Sequence, residues 1–468
     1  MIDFLLYWLH EIFGVFLIFY MLLVIGVYTL MLIFAFTYLK KTRRLDKYIE
    51  NTVNLQYTYS KPVSIIVPAY NEEVGILSTI HSLLTIEYPQ FEIIIVNDGS
   101  KDATLQQVIE AFQMEQVFQT VRQQLQTEEI KAIYRSNIHH NIVLIDKNNG
   151  GKADALNAGI NVSQYPYFCS IDGDSILSGK SLLQVMKPIV ASNGHVIAAG
   201  GSVRIANGSN FQYGTFMNAV MPNNPLVIMQ IIEYLRAFYM GRIALSRFNL
   251  LLIVSGAFSV FSKHYAIKVG GYNRQTIGED MELIVRLHRY LLKNKINKAI
   301  EYVPDPVCWT EAPDNFKDLQ TQRRRWHQGL ISSIMLNRGM LFNPKYKQIG
   351  MISVPYYVFI ELLGPIIELI GYIYMIISFA VGNVYWESAI ILLTLFLIYS
   401  TVISMFAILL ESWSMHTYPR ARDTLKLMLY SLTELFWFRP LTTWYRIQGF
   451  WYYFRGKNDW GKLSRKGL

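Results

Sequence analysis

Cysteine is nearly absent from this chain, with only Cys169 and Cys308 in 468 residues. That scarcity excludes a disulfide framework, which needs paired and regularly spaced cysteines. Internal repeats and low-complexity tracts are also lacking, so the chain is not a repeat array. Charged residues make up only 16%, and many of the basic ones behind the net charge of +9 sit beside apolar runs. Such a distribution points to anionic lipid headgroups, with no nucleic acid expected as a partner.

Hydrophobic residues, at 52%, are abundant but unevenly spread. Positions 12–36 carry no charge and exceed the roughly 20 apolar residues that a hydrocarbon core requires. Asp3 and Glu11 precede this run, whereas Lys40, Lys41, Arg43 and Arg44 follow it. A cleaved signal peptide has the opposite order, so the run reads as an anchor with the following chain in the cytosol. Two further runs, 351–381 and 389–410, form a hairpin whose connection, 382–388, has no Lys or Arg. Lys345 and Lys347 before the pair and Arg420, Arg422 and Lys426 after it place both outer flanks in the cytosol. Positions 427–438 are apolar but short, and Arg439-Pro440 separates them from an aromatic run at 444–454, a pattern for interfacial or re-entrant helix. The expected organisation is an anchor at 1–44, a cytosolic domain at 45–315, an interface helix at 316–348, a transmembrane hairpin at 349–411, and interfacial helices with a cytosolic tail at 412–468.

Between the spans, short β-rich runs at 63–68, 93–96, 142–145, 167–171 and 196–199 alternate with helical patterns, which predicts an α/β domain with a mainly parallel sheet. Ligands of such sheets bind beyond the C-terminal strand ends. Here those ends read Pro68-Ala69-Tyr70-Asn71-Glu72, Asn97-Asp98-Gly99, Lys147 to Lys152, and Asp172-Gly173-Asp174. Asp172 and Asp174 offer two carboxylates at which a hard divalent cation and a diphosphate could meet. Gly150-Gly151-Lys152 offers backbone N–H groups and an ammonium to an anion, with Asp154 and Asn157 available to orient a sugar. Glu279-Asp280 opens an amphipathic helix; first-turn acids ordinarily serve the helix dipole, but this pair is also a candidate general base. Farther on, Gln322, Arg325 and Trp326 combine a pyrophosphate clamp with a ring on which a sugar can stack.

The ordered set resembles the family 2 glycosyltransferases with a GT-A nucleotide-sugar fold, specifically their processive membrane branch, which includes the cellulose, mixed-linkage β-glucan, hyaluronan and poly-N-acetylglucosamine synthases. Pro68, Tyr70 and Glu72 are similar to the family's first nucleotide-contacting turn, and Asp98 to its acid near the uridine. Lys152 falls in the next donor-binding element, and Asp172 and Asp174 match the metal-binding D-x-D. Ser255-Gly256-Ala257-Phe258 resembles the segment at the acceptor end. Gly278-Glu279-Asp280 resembles T-E-D, with Gly278 where Thr is common and Asp280 as the base beside Glu279. Gln322, Arg325 and Trp326 fit Q-x-x-R-W, the most discriminating of these signals for processive members.

The resemblance implies a GT-A domain inserted between transmembrane helices in a plasma, or inner, membrane, with the catalytic domain cytosolic. It also implies Mg2+ or Mn2+ as cofactor and a UDP-sugar as donor, transferred with inversion to a growing β-linked polysaccharide. UDP-glucose is favoured, on the look of Trp309 to Pro313 ahead of the Arg-rich helix, with UDP-N-acetylglucosamine next. The alternative is transfer of a single sugar to a lipid or short acceptor. No segment resembles a cyclic-dinucleotide-binding β-barrel, so control is expected from elsewhere, and accessory subunits for export or regulation fit the scheme. Glu361 and Glu368, seven residues apart in the second span, are expected on one helical face lining an export path, with pairing to Arg or Lys of the interfacial helices as the competing reading.

Overall fold

Ile and Val dominate the buried strands, and their two faces separate with the period of two that a pleated strand imposes. Ile65, Ile93, Ile95 and Leu144 pack on one side of the sheet, whereas Ile66, Ile94, Val96, Val143 and Ile145 pack on the other. A sheet apolar on both faces has to be covered twice. In the computed structural model, helices Ile76–Leu84, Thr104–Ala111 and Ser181–Ala191 cover the first face, and Lys152–Val162 and Glu279–Lys293 the second. The structure describes residues 2–49, 60–173, 175–212, 215–381, 386–415, 417–418 and 420–456.

In chain order the strands are β1 (Val63–Ala69), β2 (Phe91–Asn97), β3 (Met114–Val117), β4 (Ile130–Ser136), β5 (Ile142–Lys147), β6 (Tyr167–Ile171), β7 (Ser175–Leu177), β8 (Val196–Ile205), β9 (Asn210–Gln212), β10 (Thr215–Asn218), β11 (Phe258–Ser262) and β12 (Ala299–Thr310). The main sheet runs β3-β4-β5-β2-β1-β6-β11-β8-β12-β7, and β9 and β10 form a separate hairpin. Neighbours β5, β2, β1 and β6 are parallel, so the polar segments that follow them share one edge of the sheet. β11 then runs antiparallel to β6, pairing Phe258 with Ile171, which brings 255–257 to that same edge. The expected GT-A-like α/β domain flanked by long apolar helices is therefore what the chain builds.

Three helices, Ile12–Arg43, Ile349–Ile376 and Ile390–Ser414, are long and apolar enough to cross a membrane, the make-up of a multi-pass membrane protein. Exposed Ile12, Phe16, Phe19, Leu23 and Ile33 line the first of them. Its opposite side is held by Arg247, which donates to Thr37 at 2.6 Å, and by Tyr28, which donates to Glu361 at 3.2 Å. The connection at 382–385 and the basic tail at 457–468 lie outside the described residues. Near the C-terminus the helical break falls at 432–433 rather than at Arg439-Pro440: a π-helical turn, Glu434–Phe438, passes directly into Arg439–Phe454. Pro440 stands at the seam between the π-helical turn and the α-helical part, where its missing N–H falls at the change of hydrogen-bond register.

The second span is not a uniform helix either. Ile349–Ser353 and Tyr357–Leu362 are π-helical, and the regular helix Gly364–Val381 starts only after a bend at Leu363. The wider π turn and the bend shift the angular register here, yet Glu361 and Glu368 both turn toward the helix Arg439–Phe454, the first to Arg446 and the second to Arg439, as the competing reading expected.

Candidate active site

Of the polar strand ends, the one after β2 is closed on itself. Asp98 is buried and accepts from the N–H groups of Gly150 at 3.0 Å and Gly151 at 2.7 Å. Lys147, fully buried, bridges Asp98 and Asp154, the latter at 2.6 Å. The backbone donors expected to face an anion are therefore turned onto Asp98. Asp154 and Asn157 are buried as well, bonded to protein rather than available to a sugar. Asp154 meets Arg274 Nε at 2.8 Å, and Asn157 accepts from the N–H of Tyr272 at 2.8 Å. Pro68 is half-buried, Tyr70 is exposed, and Glu72 lies against Gly173.

A cavity of about 440 Å³ opens beside these ends. Lys152, Asp172, Ser255, Gly256, Glu279, Asp280, Gln322, Arg325, Trp326 and Glu361 all line it, which brings together residues from positions 152 to 361. Pro68, Tyr70, Glu72 and Asp98 are not in its wall but gather at the adjoining strand ends.

Lys152 is the electrostatic hinge of the cavity. Its Nζ is 2.5 Å from Asp172 Oδ1 and 3.6 Å from Glu279 Oε1. Burial works against the ammonium, but Asp172, Glu279 and Asp280 more than offset it and hold the pKa above the ordinary range. Burial pushes Glu279 up to about 7, with Lys152 opposing and the charge of Asp280 adding to the rise. Asp280 is raised too, first by burial, against the pull of Lys152, the N–H of Met281 and Arg242. A Cβ on Gly256 would come 2.9 Å from Asp280 Oδ2, so the 255–257 segment passes directly over this carboxylate.

The opposite wall is the helix Phe316–Leu336. Trp326 is 42% exposed, enough to offer a ring face to the cavity. Tyr234 and Phe238 flank it, with ring centroids 6.2 Å and 5.9 Å away, and the Arg323 guanidinium lies 4.4 Å over it. Arg323 is tied to Glu233 at 2.7 Å, and Arg242 covers Phe238 at 4.2 Å. Sequence reading missed Glu233, Arg242 and Arg323 as cavity residues; the aromatic-rich stretch 234–239, bounded by Glu233 and Arg242, is the signal that could have found the first two.

At its membrane end the cavity reaches Tyr356, Tyr357, Glu361 and Arg446. Glu361 accepts from Tyr356 at 2.9 Å and faces Arg446 at 3.5 Å. Glu368 does not join it. Its carboxylate pairs with Arg439 and accepts from Thr443 at 2.9 Å, so of the expected two-acid face only Glu361 meets the cavity.

Among the described residues, no cluster of three or more His, Cys, Asp or Glu side chains could hold a metal ion, and Asp174 lies outside them. Asp172 does present a carboxylate to the cavity, the hard oxygen donor that a divalent cation prefers, and it already balances a cationic group there.

Residues 64–270 match the family model for Glycosyl transferase family 2. Over 340 residues the chain is 26% identical to the poly-beta-1,6-N-acetyl-D-glucosamine synthase of Staphylococcus epidermidis, covering 70% of this chain and 71% of that protein. The synthase of the same name from Staphylococcus aureus (strain COL) is 26% identical over 291 residues, 62% of this chain and 59% of that one. Among solved structures, a mannosyltransferase from Pyrobaculum calidifontis in complex with GDP-Man and Mn2+ shares the fold, with a TM-score of 0.53 and 16% identity over 90% of this chain and 99% of that chain. Residues 64–270 are thus similar to family 2 glycosyltransferases on a GT-A-like fold, and the chain is distantly similar to the poly-beta-1,6-N-acetyl-D-glucosamine synthases.

Proposed function

We propose that this glycosyltransferase polymerises a hexose from a UDP-sugar into a β-linked polysaccharide and passes the product toward the membrane as it grows. One observation carries the reading: a single cavity runs from Lys152, Asp172 and the acid pair, past Trp326, to Glu361 on a membrane-spanning helix. A single-addition enzyme has no need of that continuity. UDP-N-acetylglucosamine is the favoured donor, ahead of UDP-glucose, because the synthases named above are N-acetylglucosamine polymer synthases by name, whereas the case for glucose is the overall look of the sequence, particularly 309–313 ahead of the Arg-rich helix.

In this scheme the acceptor hydroxyl gives its proton to Asp280 as its oxygen bonds to the anomeric carbon, and the bond from that carbon to the diphosphate breaks on the opposite side. A positioned base of this kind contributes typically ~10²–10⁴-fold. The pKa of Asp280, raised by burial, makes it a stronger proton acceptor than a solvated carboxylate. Lys152 and Arg325 face the negative charge that develops on the leaving diphosphate. Asp172, with Asp174 two residues on, would hold a Mg2+ or Mn2+, which neutralises that same charge. Trp326 stacks on the sugar at the end of the chain. Lys40, Lys41, Arg43, Arg420 and Arg422 favour a cytosolic catalytic domain.

The test is to incubate membranes containing the protein with UDP-N-acetylglucosamine or UDP-glucose and Mg2+, then size the product and digest it with linkage-specific glycosidases. High-molecular-weight polymer from one donor supports the proposal. Single-sugar products with both would replace it with the non-processive alternative.

A further inference from the structure

The acid pair stands at the end of an irregular loop, 271–278, which has to be held still if Asp280 is to meet an acceptor hydroxyl. Two helices share that task. At the acceptor side, Thr276 Oγ1 bonds Ser332 Oγ at 2.9 Å and the carbonyl of Gly278 accepts from Ser333 at 3.3 Å, both partners on Phe316–Leu336. At the donor side the anchor is the helix Lys152–Val162, whose first residue is the lysine between Asp172 and Glu279.

That helix carries Asp154, Asn157 and Asn161 at helical spacing, and all three are spent on loops rather than on solvent. Asn157 donates to the carbonyl of Tyr272 at 2.9 Å and accepts from its N–H. Asn161 accepts from the N–H of Leu125 at 2.9 Å and donates to its carbonyl at 2.8 Å. Gly271, at φ +70°, allows the chain to come this close, since a Cβ there would sit 2.5 Å from Asn157 Oδ1. Asp154 takes Arg274 Nε at 2.8 Å, and the same guanidinium pairs with Glu128. Through Lys147, Asp154 is joined to Asp98, which holds Gly150 and Gly151. An unbroken ion chain, Asp98, Lys147, Asp154, Arg274, thus links the turn that precedes Lys152 to the loop that ends in Glu279-Asp280.

We propose that Arg274 is a positioning residue: by clamping the 271–278 loop onto Asp154, it fixes the acid pair relative to the donor turn without itself touching donor or acceptor. Without the guanidinium, one buried ammonium, Lys147, is left to serve the carboxylates of Asp98 and Asp154. Arg274 is also the only side chain of the loop that pairs with Asp154 among the described contacts. A lysine there would keep the charge but lose the fork that spans Asp154 and Glu128.

The inference rests on the glycosyltransferase reading above, so the experiment carries one readout that needs no turnover. Arg274→Ala and Arg274→Lys are purified in detergent beside the wild type. Hydrogen exchange is followed over 271–278 and 152–162, together with thermal midpoint, UDP-sugar affinity, and kcat and KM. The expected result for Arg274→Ala is exchange at least tenfold faster over 271–278 with 152–162 unchanged. kcat should fall about tenfold or more while UDP-sugar affinity changes less than twofold, and Arg274→Lys should recover part of the loss. Unchanged exchange over 271–278 overturns the proposal whatever the activity. Equal losses of exchange protection in both segments with a lowered midpoint also overturn it, because they assign Arg274 to global stability. A wild type that binds no UDP-sugar contradicts the functional reading, while the exchange result still decides the clamp.

Discussion

Gly278 and Gly329 meet backbone to backbone: a Cβ on Gly278 would lie 2.7 Å from the Cα of Gly329, and one on Gly329 2.9 Å from the Cα of Gly278. This contact seats the acid-bearing helix Glu279–Lys293 on Phe316–Leu336 and accounts for the one departure from T-E-D. Gly278→Thr would restore the family's usual motif and yet is predicted to harm this enzyme. Overpacking of this kind costs typically ~1–3 kcal/mol, and the displaced carboxylates should cost about tenfold in rate. Thermal unfolding and initial rates of the variant check this; equal or better activity would show that the helices separate freely.

The acid pair sets the pH behaviour. Glu279 rises from an ordinary 4.5 to about 7, and a carboxyl raised on folding contributes stability that is fully present below its unfolded pKa and is lost as pH climbs through its folded value. Without ligand, the protein should therefore lose thermal stability between about pH 5 and pH 8, and Glu279→Gln should flatten that slope. Activity should move the other way, rising as the pair ionises. Removing the neighbouring charge in Glu279→Gln should shift the acid limb of any remaining activity to lower pH.

Trp326 offers its ring to the cavity while Arg323 occupies its other surroundings. Trp326→Ala should shorten the polymer, with slow release of UDP persisting, because stacking concerns the sugar already on the chain. Product sizing against UDP release distinguishes this from simple loss of the active site.

Glu361 and Glu368 should behave differently. Glu368 is half of a buried pair with Arg439, and breaking such a pair by removing one partner costs ~3–5 kcal/mol. Glu368→Leu should thus lower the thermal midpoint sharply. Glu361→Leu should fold and release UDP but yield shorter or stalled polymer, since Glu361 meets the cavity. Paired unfolding and product-length measurements separate the two.

Much of this site was legible because its parts obey local rules. β1, β2 and β5 announce themselves by Ile and Val runs and β6 by the short apolar run Tyr167–Ile171, and in a parallel sheet the residues after such strands must converge. The expected spans also follow from length and apolarity alone. What was not legible depends on partners distant in sequence. Asp98 looks like a ligand-facing acid until Lys147, Gly150 and Gly151 are seen to fold onto it. Asp154 and Asn157 look available until the loop at 271–274 arrives. Glu361 and Glu368 both turn to arginines of a helix 71 to 85 residues farther on, and only Glu361 also meets the cavity, a difference that depends on that distant helix.

The central claim is that Asp280 removes the acceptor proton in a cavity that binds a UDP-sugar and makes polymer. Its most direct test is Asp280→Asn in proteoliposomes with the catalytic side exposed, supplied with UDP-N-acetylglucosamine and Mg2+, following polymer formation and donor affinity together. The account predicts that polymer synthesis falls by at least ~10²-fold, the contribution expected of a positioned base, while donor affinity stays within about twofold of the wild type. Polymer made at the wild-type rate, or donor binding lost in step with synthesis, would contradict it.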